Sequence, residues 1–180
     1  HELLHIAKVE GFELARIGRD NDGGYIMLDD FSSGDDKIAY SFGISDDVSW
    51  DKEMSERGYD VFMYDHTIEK LPEENSRFHF FRLGLADTKM PAENLKPLEY
   101  FIAQNHHEKN RDMILKMDVE GAEWGFLENV KPEVLSKFSQ ILLEIHGIND
   151  PKFLKRIPSA LRKLNETHQL IHLHGQNHGY

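Results

Sequence analysis

Short runs of hydrophobic residues alternate along the chain with stretches in which hydrophobic residues recur every three or four positions. The first kind of run predicts buried strands, and the second kind predicts amphipathic helices. The predicted strands cover residues 37–42, 59–65, 78–83, 114–118, 140–145 and 169–173. The predicted helices cover residues 49–57, 97–106, 123–129, 132–137 and 151–165. This order predicts an α/β fold with a doubly wound, mostly parallel sheet.

The first 36 residues are less regular than the rest of the chain. A polar, glycine-rich segment at residues 19–25 precedes a short predicted strand at residues 25–28. Adjacent glycines are typical of a tight turn. The same segment can instead form a loop that closes over a cofactor, with Arg19 or Tyr25 at the cofactor's polar end. We therefore expect a single domain over residues 1–180, in which residues 1–36 close over a cofactor and residues 37–180 form the core.

Composition and charge narrow the classes of partner. A formal net charge of −11 argues against nucleic acid as a partner. The chain contains no Cys, which excludes disulfides, thiolate nucleophiles and Cys-based metal sites. No hydrophobic run has the length of a membrane span, and the first 25 residues lack a signal-peptide pattern. These observations predict a cytoplasmic protein. The oligomeric state is not predicted.

The last three predicted strands end in paired polar residues with one residue between them. The pairs are Asp118 and Glu120, Glu144 and His146, and His172 and His174. Residues two apart in a strand point to the same side, and parallel strands end at the same edge of a sheet. The pairs are therefore expected to converge in the crevice at that edge, where open α/β sheets bind their ligands.

Such a group of carboxylates and imidazoles allows three interpretations. Asp118, Glu144, His146 and His174 could hold a divalent metal: Mg²⁺ or Mn²⁺ through oxygen ligands, or Zn²⁺ or Fe²⁺ through imidazole as well. The group could instead be a metal-free base with its orienting partners. In the third interpretation these side chains have no chemical role and are polar residues exposed to solvent at the ends of strands.

A second group of residues indicates a cofactor site at the end of the first core strand. Gly43 allows close backbone approach, and Asp65, 22 residues later at the end of the second core strand, is placed to bind ribose hydroxyls. The intervening Asp46 and Asp47 would repel a diphosphate. A cofactor with positive charge, such as S-adenosylmethionine, fits these acids better.

Several segments together resemble the FkbM-type and related S-adenosylmethionine-dependent methyltransferases. They are Tyr-Ser-Phe-Gly-Ile-Ser-Asp-Asp at 40–47, Leu-Lys-Met-Asp-Val-Glu-Gly-Ala-Glu at 115–123, Leu-Glu-Ile-His at 143–146, and Asp-Gly-Gly-Tyr at 22–25. The resemblance implies a class I, Rossmann-like methyltransferase that acts on oxygen, often in sugar, polysaccharide or natural-product pathways. Such enzymes usually finish with an antiparallel hairpin, so this chain is expected to be shorter than the natural protein.

The resemblance also implies roles for individual residues. Gly43 and its neighbours would hold the methionine part of the cofactor, Asp65 the ribose, and Leu85, Ala86 and Asp87 the adenine. Ser41 and Ser45 stand where the family usually has an acid and further glycines, so Asp46 or Asp47 is a candidate substitute for the acid. Tyr25 and Asp118 complete the expected cofactor site.

Methyl transfer to a hydroxyl requires an acceptor oxygen in line with the methyl group and a group that removes the acceptor's proton. His146 is the first candidate base, with Asp118 or Glu120 to orient it and His174 in reserve. The expected acceptor is a small molecule or a sugar, including nucleotide-linked sugars. Two alternatives stay open: a metal-dependent hydrolase built on the strand-end cluster, and a noncatalytic nucleotide- or sugar-binding domain.

Overall fold

A parallel five-stranded sheet forms the centre of the structure. The computed structural model describes residues 2–20, 22–31, 36–86 and 93–175. Its strands are β1 (Leu14–Ile17), β2 (Tyr25–Leu28), β3 (Ile38–Phe42), β4 (Asp60–Tyr64), β5 (Phe78–Phe81), β6 (Gly84–Leu85), β7 (Leu95–Lys96), β8 (Met113–Met117) and β9 (Phe138–Leu143). Its α-helices are α1 (Ser49–Glu56), α2 (Leu98–Gln104), α3 (Glu123–Asn129), α4 (Pro132–Leu135), α5 (Pro151–Leu154) and α6 (Ile157–Asn165).

The central sheet has the strand order β5-β4-β3-β8-β9, and every neighbouring pair is parallel. Every residue of β3 and β8 is buried, because these inner strands are covered on both faces. The chain runs outward from β3 in one direction and from β8 in the other. The crevice at this switch point lies at the carboxyl ends of β3 and β8, where doubly wound sheets bind ligands. The predicted Rossmann-like α/β fold is confirmed.

The two faces of the sheet carry separate hydrophobic clusters. One cluster joins aromatic residues of β3 and β4 to residues of α2, α3, α4 and α6. The other joins α1 and the hairpin β1–β2 to the opposite face. The side chain of Gln140 in β9 fixes this hairpin: its Oε1 accepts from Leu28 N at 2.8 Å, and its Nε2 donates to Leu28 O at 3.1 Å. The N-terminal hairpin is therefore attached to the edge of the central sheet.

Two predictions near the C-terminus are wrong. The helix predicted over residues 151–165 is divided into α5 and α6. The division is explained by Pro158, which lacks an N–H and so cannot donate to the carbonyl of Leu154. Residues 169–173 form no strand; instead, Leu170 O accepts a hydrogen bond from Ala7 N at 2.7 Å. None of the described helices is long and apolar enough to cross a membrane.

Candidate functional site

The turn after β3 brings the ends of two strands into contact. Gly43 has φ +78°, and a Cβ added there would lie 1.5 Å from the carbonyl oxygen of Asp118. Hydrogen bonds tie the backbone together on both sides: Gly43 N donates to Tyr64 O, and Asp118 N donates to Phe42 O, each at 3.0 Å. Only glycine combines this left-handed φ with such a close approach.

Asp65 stabilises the same turn from the end of β4. Its Oδ2 accepts from Ile44 N and Ser45 N, both at 2.9 Å, and its Oδ1 accepts from Thr67 N at 2.8 Å and Thr67 Oγ1 at 2.6 Å. Burial by itself would raise the pKa of Asp65, but these hydrogen bonds outweigh it and hold the pKa below its usual range. A carboxylate accepts about four hydrogen bonds. A ribose hydroxyl could therefore bind Asp65 only by replacing one of these donors.

Beneath the turn, Lys116 is buried in β8. Its Nζ donates to Gly43 O at 2.9 Å and lies 5.4 Å from the ring centroid of Tyr25. Asp51 of α1 is fully buried, and neither of its carboxylate oxygens has a hydrogen-bond partner among the described residues. Burial raises the pKa of Asp51, and the charge of Lys116 opposes this effect. Lys116 thus fixes the Gly43 carbonyl and compensates a buried acid.

The other residues predicted around the cofactor occupy different environments. Ser41 is fully buried within β3, whereas Ser45 and Asp46 are exposed on the turn. Leu85 and Ala86 are buried at and just after β6. Asp47 accepts from Ser49 N and Ser49 Oγ at the start of α1, which stabilises that helix end. Asp87 lies outside the described residues.

The carboxyl ends of β8 and β9 bring the first two predicted pairs together. His146 Nε2 lies 3.7 Å from Asp118 Oδ1, 3.6 Å from Glu120 Oε2 and 3.8 Å from Glu144 Oε1. Tyr25 Oη donates to the other oxygen of Asp118, Oδ2, at 2.9 Å. The hairpin β1–β2 therefore contributes Tyr25 to the site, next to the acid that follows β8.

Glu123, a residue that sequence reasoning did not select, fixes the position of His146. Its Oε1 accepts from His146 N at 2.7 Å and lies 3.2 Å from His146 Nδ1, and its Oε2 accepts from Gly121 N at 2.8 Å. The hydrogen bond with Glu123 raises the pKa of His146 to about 9, against burial and with help from the charges of Glu123, Glu120 and Asp118. One signal could have identified Glu123: it is the acid in the first turn of α3, directly before the apolar run Trp-Gly-Phe-Leu at 124–127.

Glu144 is the other carboxylate with a strongly displaced pKa. Burial and the neighbouring charge of Asp118 raise its pKa to about 7, and His146 opposes the change. Two carboxylates this close resist simultaneous ionisation. Glu144 can therefore gain or lose a proton near neutral pH, directly beside the imidazole of His146.

The third predicted pair does not join this group. His172 Nε2 lies 3.0 Å from His174 Nδ1, so these two side chains contact each other. In the part of the chain that the structure describes, Asp118, Glu120 and His146 form a group that could hold a metal ion. One ligand atom from each side chain lies within 4.8 Å of the other two. His174 is not one of them, because residues 169–173 do not extend the sheet as a strand beside β9.

Comparisons with known proteins identify the family. The model of the methyltransferase FkbM domain matches residues 68–180. The human and rat proteins named "Probable methyltransferase-like protein 24" are each 29% identical to the chain over 118 residues, which cover 59% of this chain and 32% of each relative. The chain thus spans about a third of the length of these relatives. No solved structure matches the chain.

The family match supports a methyltransferase and gives no support to the metal-dependent hydrolase considered from the sequence alone. It also agrees with the doubly wound sheet and with the site at the switch point. The chain belongs to the FkbM methyltransferase family.

Proposed function

We propose that the chain binds S-adenosylmethionine in the crevice at the ends of β3, β4 and β8, and transfers its methyl group to a hydroxyl of a sugar-type small molecule. The observation that carries the proposal is the position of the Gly43 turn beside Asp118, in a chain of the FkbM methyltransferase family. Methyltransferases of this family generally use S-adenosylmethionine, which supports the choice of cofactor.

The charges of the crevice support a cationic cofactor. S-adenosylmethionine carries a sulfonium and an ammonium group, and the crevice is bordered by the acids Asp46, Asp118 and Glu144. The Gly43 turn has no side chain, which leaves room for the methionine part of the cofactor. The buried apolar residues Leu85 and Ala86 are suited to contact with an adenine ring. We assign Asp65 to the ribose, where it would exchange a protein donor for a ribose hydroxyl.

On the acceptor side, the proposal assigns the reacting hydroxyl to the space before His146. During transfer the bond from sulfur to methyl breaks, the bond from the acceptor oxygen to methyl forms, and the hydroxyl proton leaves. His146 in its neutral form, or Glu144 beside it, would receive that proton, and Glu123 holds the imidazole in one orientation. Tyr25 and Glu120 border the same space. The sugar class of the acceptor rests on the family resemblance.

Calorimetry with S-adenosylmethionine and S-adenosylhomocysteine tests the cofactor assignment. We expect micromolar binding by the unmodified chain and a loss of about tenfold or more in Asp65→Asn, because a buried charge-assisted hydrogen bond is lost. Asp60→Asn is the matched control, since Asp60 lies at the opposite end of β4 and pairs with Arg77 at the surface. A folded chain that binds neither compound would refute the proposal. Equal affinity in both variants would remove Asp65 from the ribose role.

A second experiment tests the acceptor side. His146→Ala should keep cofactor affinity within about threefold and lose most methyl transfer, since general acid–base groups contribute about 10²-fold or more. Transfer is measured with radiolabelled S-adenosylmethionine against a panel of free hexoses and nucleotide-linked sugars. Near-normal transfer by His146→Ala would remove His146 from the reaction. Labelling of none of these acceptors by the unmodified chain, despite cofactor binding, would refute the sugar class.

A further inference from the structure

We propose that Asp118, Glu120 and His146 form a binding site for one divalent transition-metal ion. The ion would be Mn²⁺ or Zn²⁺. The proposal goes beyond the proposed function because metal binding at these side chains requires neither the cofactor nor the acceptor. With an ion bound, His146 Nε2 would be a ligand, and Glu144 would receive the acceptor's proton in its place.

The distances around His146 Nε2 are unsuited to direct hydrogen bonds but fit a shared ion. The carboxylate oxygens of Glu120 and Asp118 lie 3.6 and 3.7 Å from this one nitrogen, beyond ordinary hydrogen-bond length. In a tetrahedral shell, ligand atoms are about 1.6 bond lengths apart, so these separations correspond to bonds of about 2.3 Å. Zn²⁺ binds imidazole nitrogen and carboxylate oxygen at about 2.0–2.2 Å. A small rotation of Glu120, whose side chain is 87% exposed, reduces the difference.

The imidazole and one carboxylate are already oriented by groups behind them. Glu123 is fully buried, and its Oε1 lies 3.2 Å from His146 Nδ1, which leaves Nε2 directed at the carboxylates. A metal-binding imidazole usually donates its other ring N–H to a carboxylate in this way. Tyr25 Oη similarly occupies Asp118 Oδ2 and leaves Oδ1 facing His146. Both orienting groups, Glu123 and Tyr25, lie outside the proposed set of ligands.

Charge balance favours a cation at the same place. Asp118, Glu120 and Glu144 surround a single imidazole, and the side chains of Asp118 and Glu144 are each only 23% exposed, so water screens their repulsion poorly. A divalent ion would neutralise most of this excess charge.

The ligand set indicates the class of ion. Two carboxylates and one imidazole without a thiolate suit Mn²⁺ and Zn²⁺, whereas Mg²⁺ and Ca²⁺ prefer oxygen ligands throughout. An ion at this site would lie beside the space assigned to the acceptor hydroxyl.

Calorimetry on the chain, freed of metal with a chelator and without S-adenosylmethionine, tests the site. Titration with MnCl₂ or ZnCl₂ should show one site of micromolar affinity, and MgCl₂ should bind at least tenfold more weakly. Glu120→Gln should weaken Mn²⁺ binding about tenfold or more; its side chain is 87% exposed, so the fold is unaffected. Glu133→Gln, which replaces an exposed acid of α4, is the control and should bind like the unmodified chain.

Pulsed electron paramagnetic resonance of bound Mn²⁺ adds a direct observation, since a coupled imidazole nitrogen identifies His146 as a ligand. Absence of binding, equal affinities in Glu120→Gln and Glu133→Gln, or bound Mn²⁺ without nitrogen coupling would each overturn the proposal. Because no cofactor is present, these results are independent of S-adenosylmethionine binding. A chain that binds metal but no cofactor would keep this proposal and refute the proposed function.

Discussion

Replacing Gly43 with alanine tests whether the candidate site depends on contact between two strand ends. The turn after β3 lies so close to β8 that a Cβ at Gly43 would be 1.5 Å from the carbonyl oxygen of Asp118 and 2.7 Å from its carbonyl carbon. Gly58, at the end of α1, provides a matched control. Its φ is +89°, similar to the +78° of Gly43, but its Cβ would meet only Lys37 Cδ at 3.8 Å.

Both substitutions destabilise the fold through the left-handed backbone conformation, and Gly43→Ala destabilises it further through overpacking. A left-handed conformation costs a non-glycine residue about 1–2 kcal/mol, and this applies to both positions. At Gly43 the added carbon must also push the end of β8 away. Overpacking of this kind costs about 1–3 kcal/mol. The movement strains the hydrogen bonds from Asp118 N to Phe42 O and from Lys116 Nζ to Gly43 O, each worth about 1 kcal/mol. We therefore expect Gly58→Ala to cost about 1.5 kcal/mol and Gly43→Ala about 5 kcal/mol.

Urea unfolding followed by the fluorescence of Trp50 and Trp124 measures the difference. With a slope of about 2 kcal/mol per molar urea, Gly58→Ala should lower the midpoint by less than about 1 M and Gly43→Ala by more than about 2 M. If Gly43→Ala does not fold at all while Gly58→Ala folds, the larger destabilisation expected at Gly43 is also supported. If the two substitutions lower the free energy of unfolding by amounts that agree to within about 0.5 kcal/mol, the close approach to Asp118 has no energetic consequence and the prediction is refuted.

Three further predictions concern the groups that support the turn and the hairpin. Lys116→Met should lower the free energy of unfolding by about 1–3 kcal/mol at pH 7, because it leaves Gly43 O without its donor and removes the charge that opposes the raised pKa of the buried Asp51. Adding Asp51→Asn should recover part of the loss in urea unfolding, and additive losses would contradict this coupling. The folded-state pKa of Asp65 is lower than that of the unfolded chain, so its carboxylate stabilises the fold above about pH 4 and loses this contribution as the pH falls through the folded-state pKa. Asp65→Asn should therefore cost more stability at pH 7 than at pH 3, as measured by thermal unfolding, and an equal cost at both pH values would contradict this assignment. Gln140→Ala removes the side-chain hydrogen bonds that hold the backbone of Leu28. Amide hydrogen exchange should therefore accelerate in β1 and β2 and stay unchanged in β4. Uniform acceleration in all strands would indicate general destabilisation instead.

Much of the fold could be predicted from the chain because the inner strands are short and continuously hydrophobic. All five strands of the central sheet begin and end within two residues of the predicted limits, and α3 matches at both ends. The strand β1 was not predicted, since three of its four residues are at least partly exposed and show weak periodicity. The strand predicted at residues 169–173 has suitable alternation, but strand formation needs a neighbouring strand to pair with. Leu170 pairs with the backbone of Ala7 instead.

The candidate site was predictable where strand ends determine it. Asp118 and Glu120 after β8, and Glu144 and His146 after β9, lie together because parallel strands end at one edge, and their relative positions follow from register. Glu123 and Lys116 were not predicted. Their roles depend on the burial of a charged group between distant elements, which local spacing does not reveal.

The sequence by itself determined the class of fold, the edge of the sheet that carries the polar groups, and the resemblance to a methyltransferase family. Each of these follows from local patterns: hydrophobic period, turn residues and motif spacing. Only the tertiary structure decided that Tyr25 of an N-terminal hairpin contacts Asp118. It also decided that the Asp65 carboxylate accepts hydrogen bonds from the turn after β3, and that Glu123 orients His146. These contacts join residues far apart in the chain, and their energies depend on burial and distance. Both quantities exist only once the chain has folded.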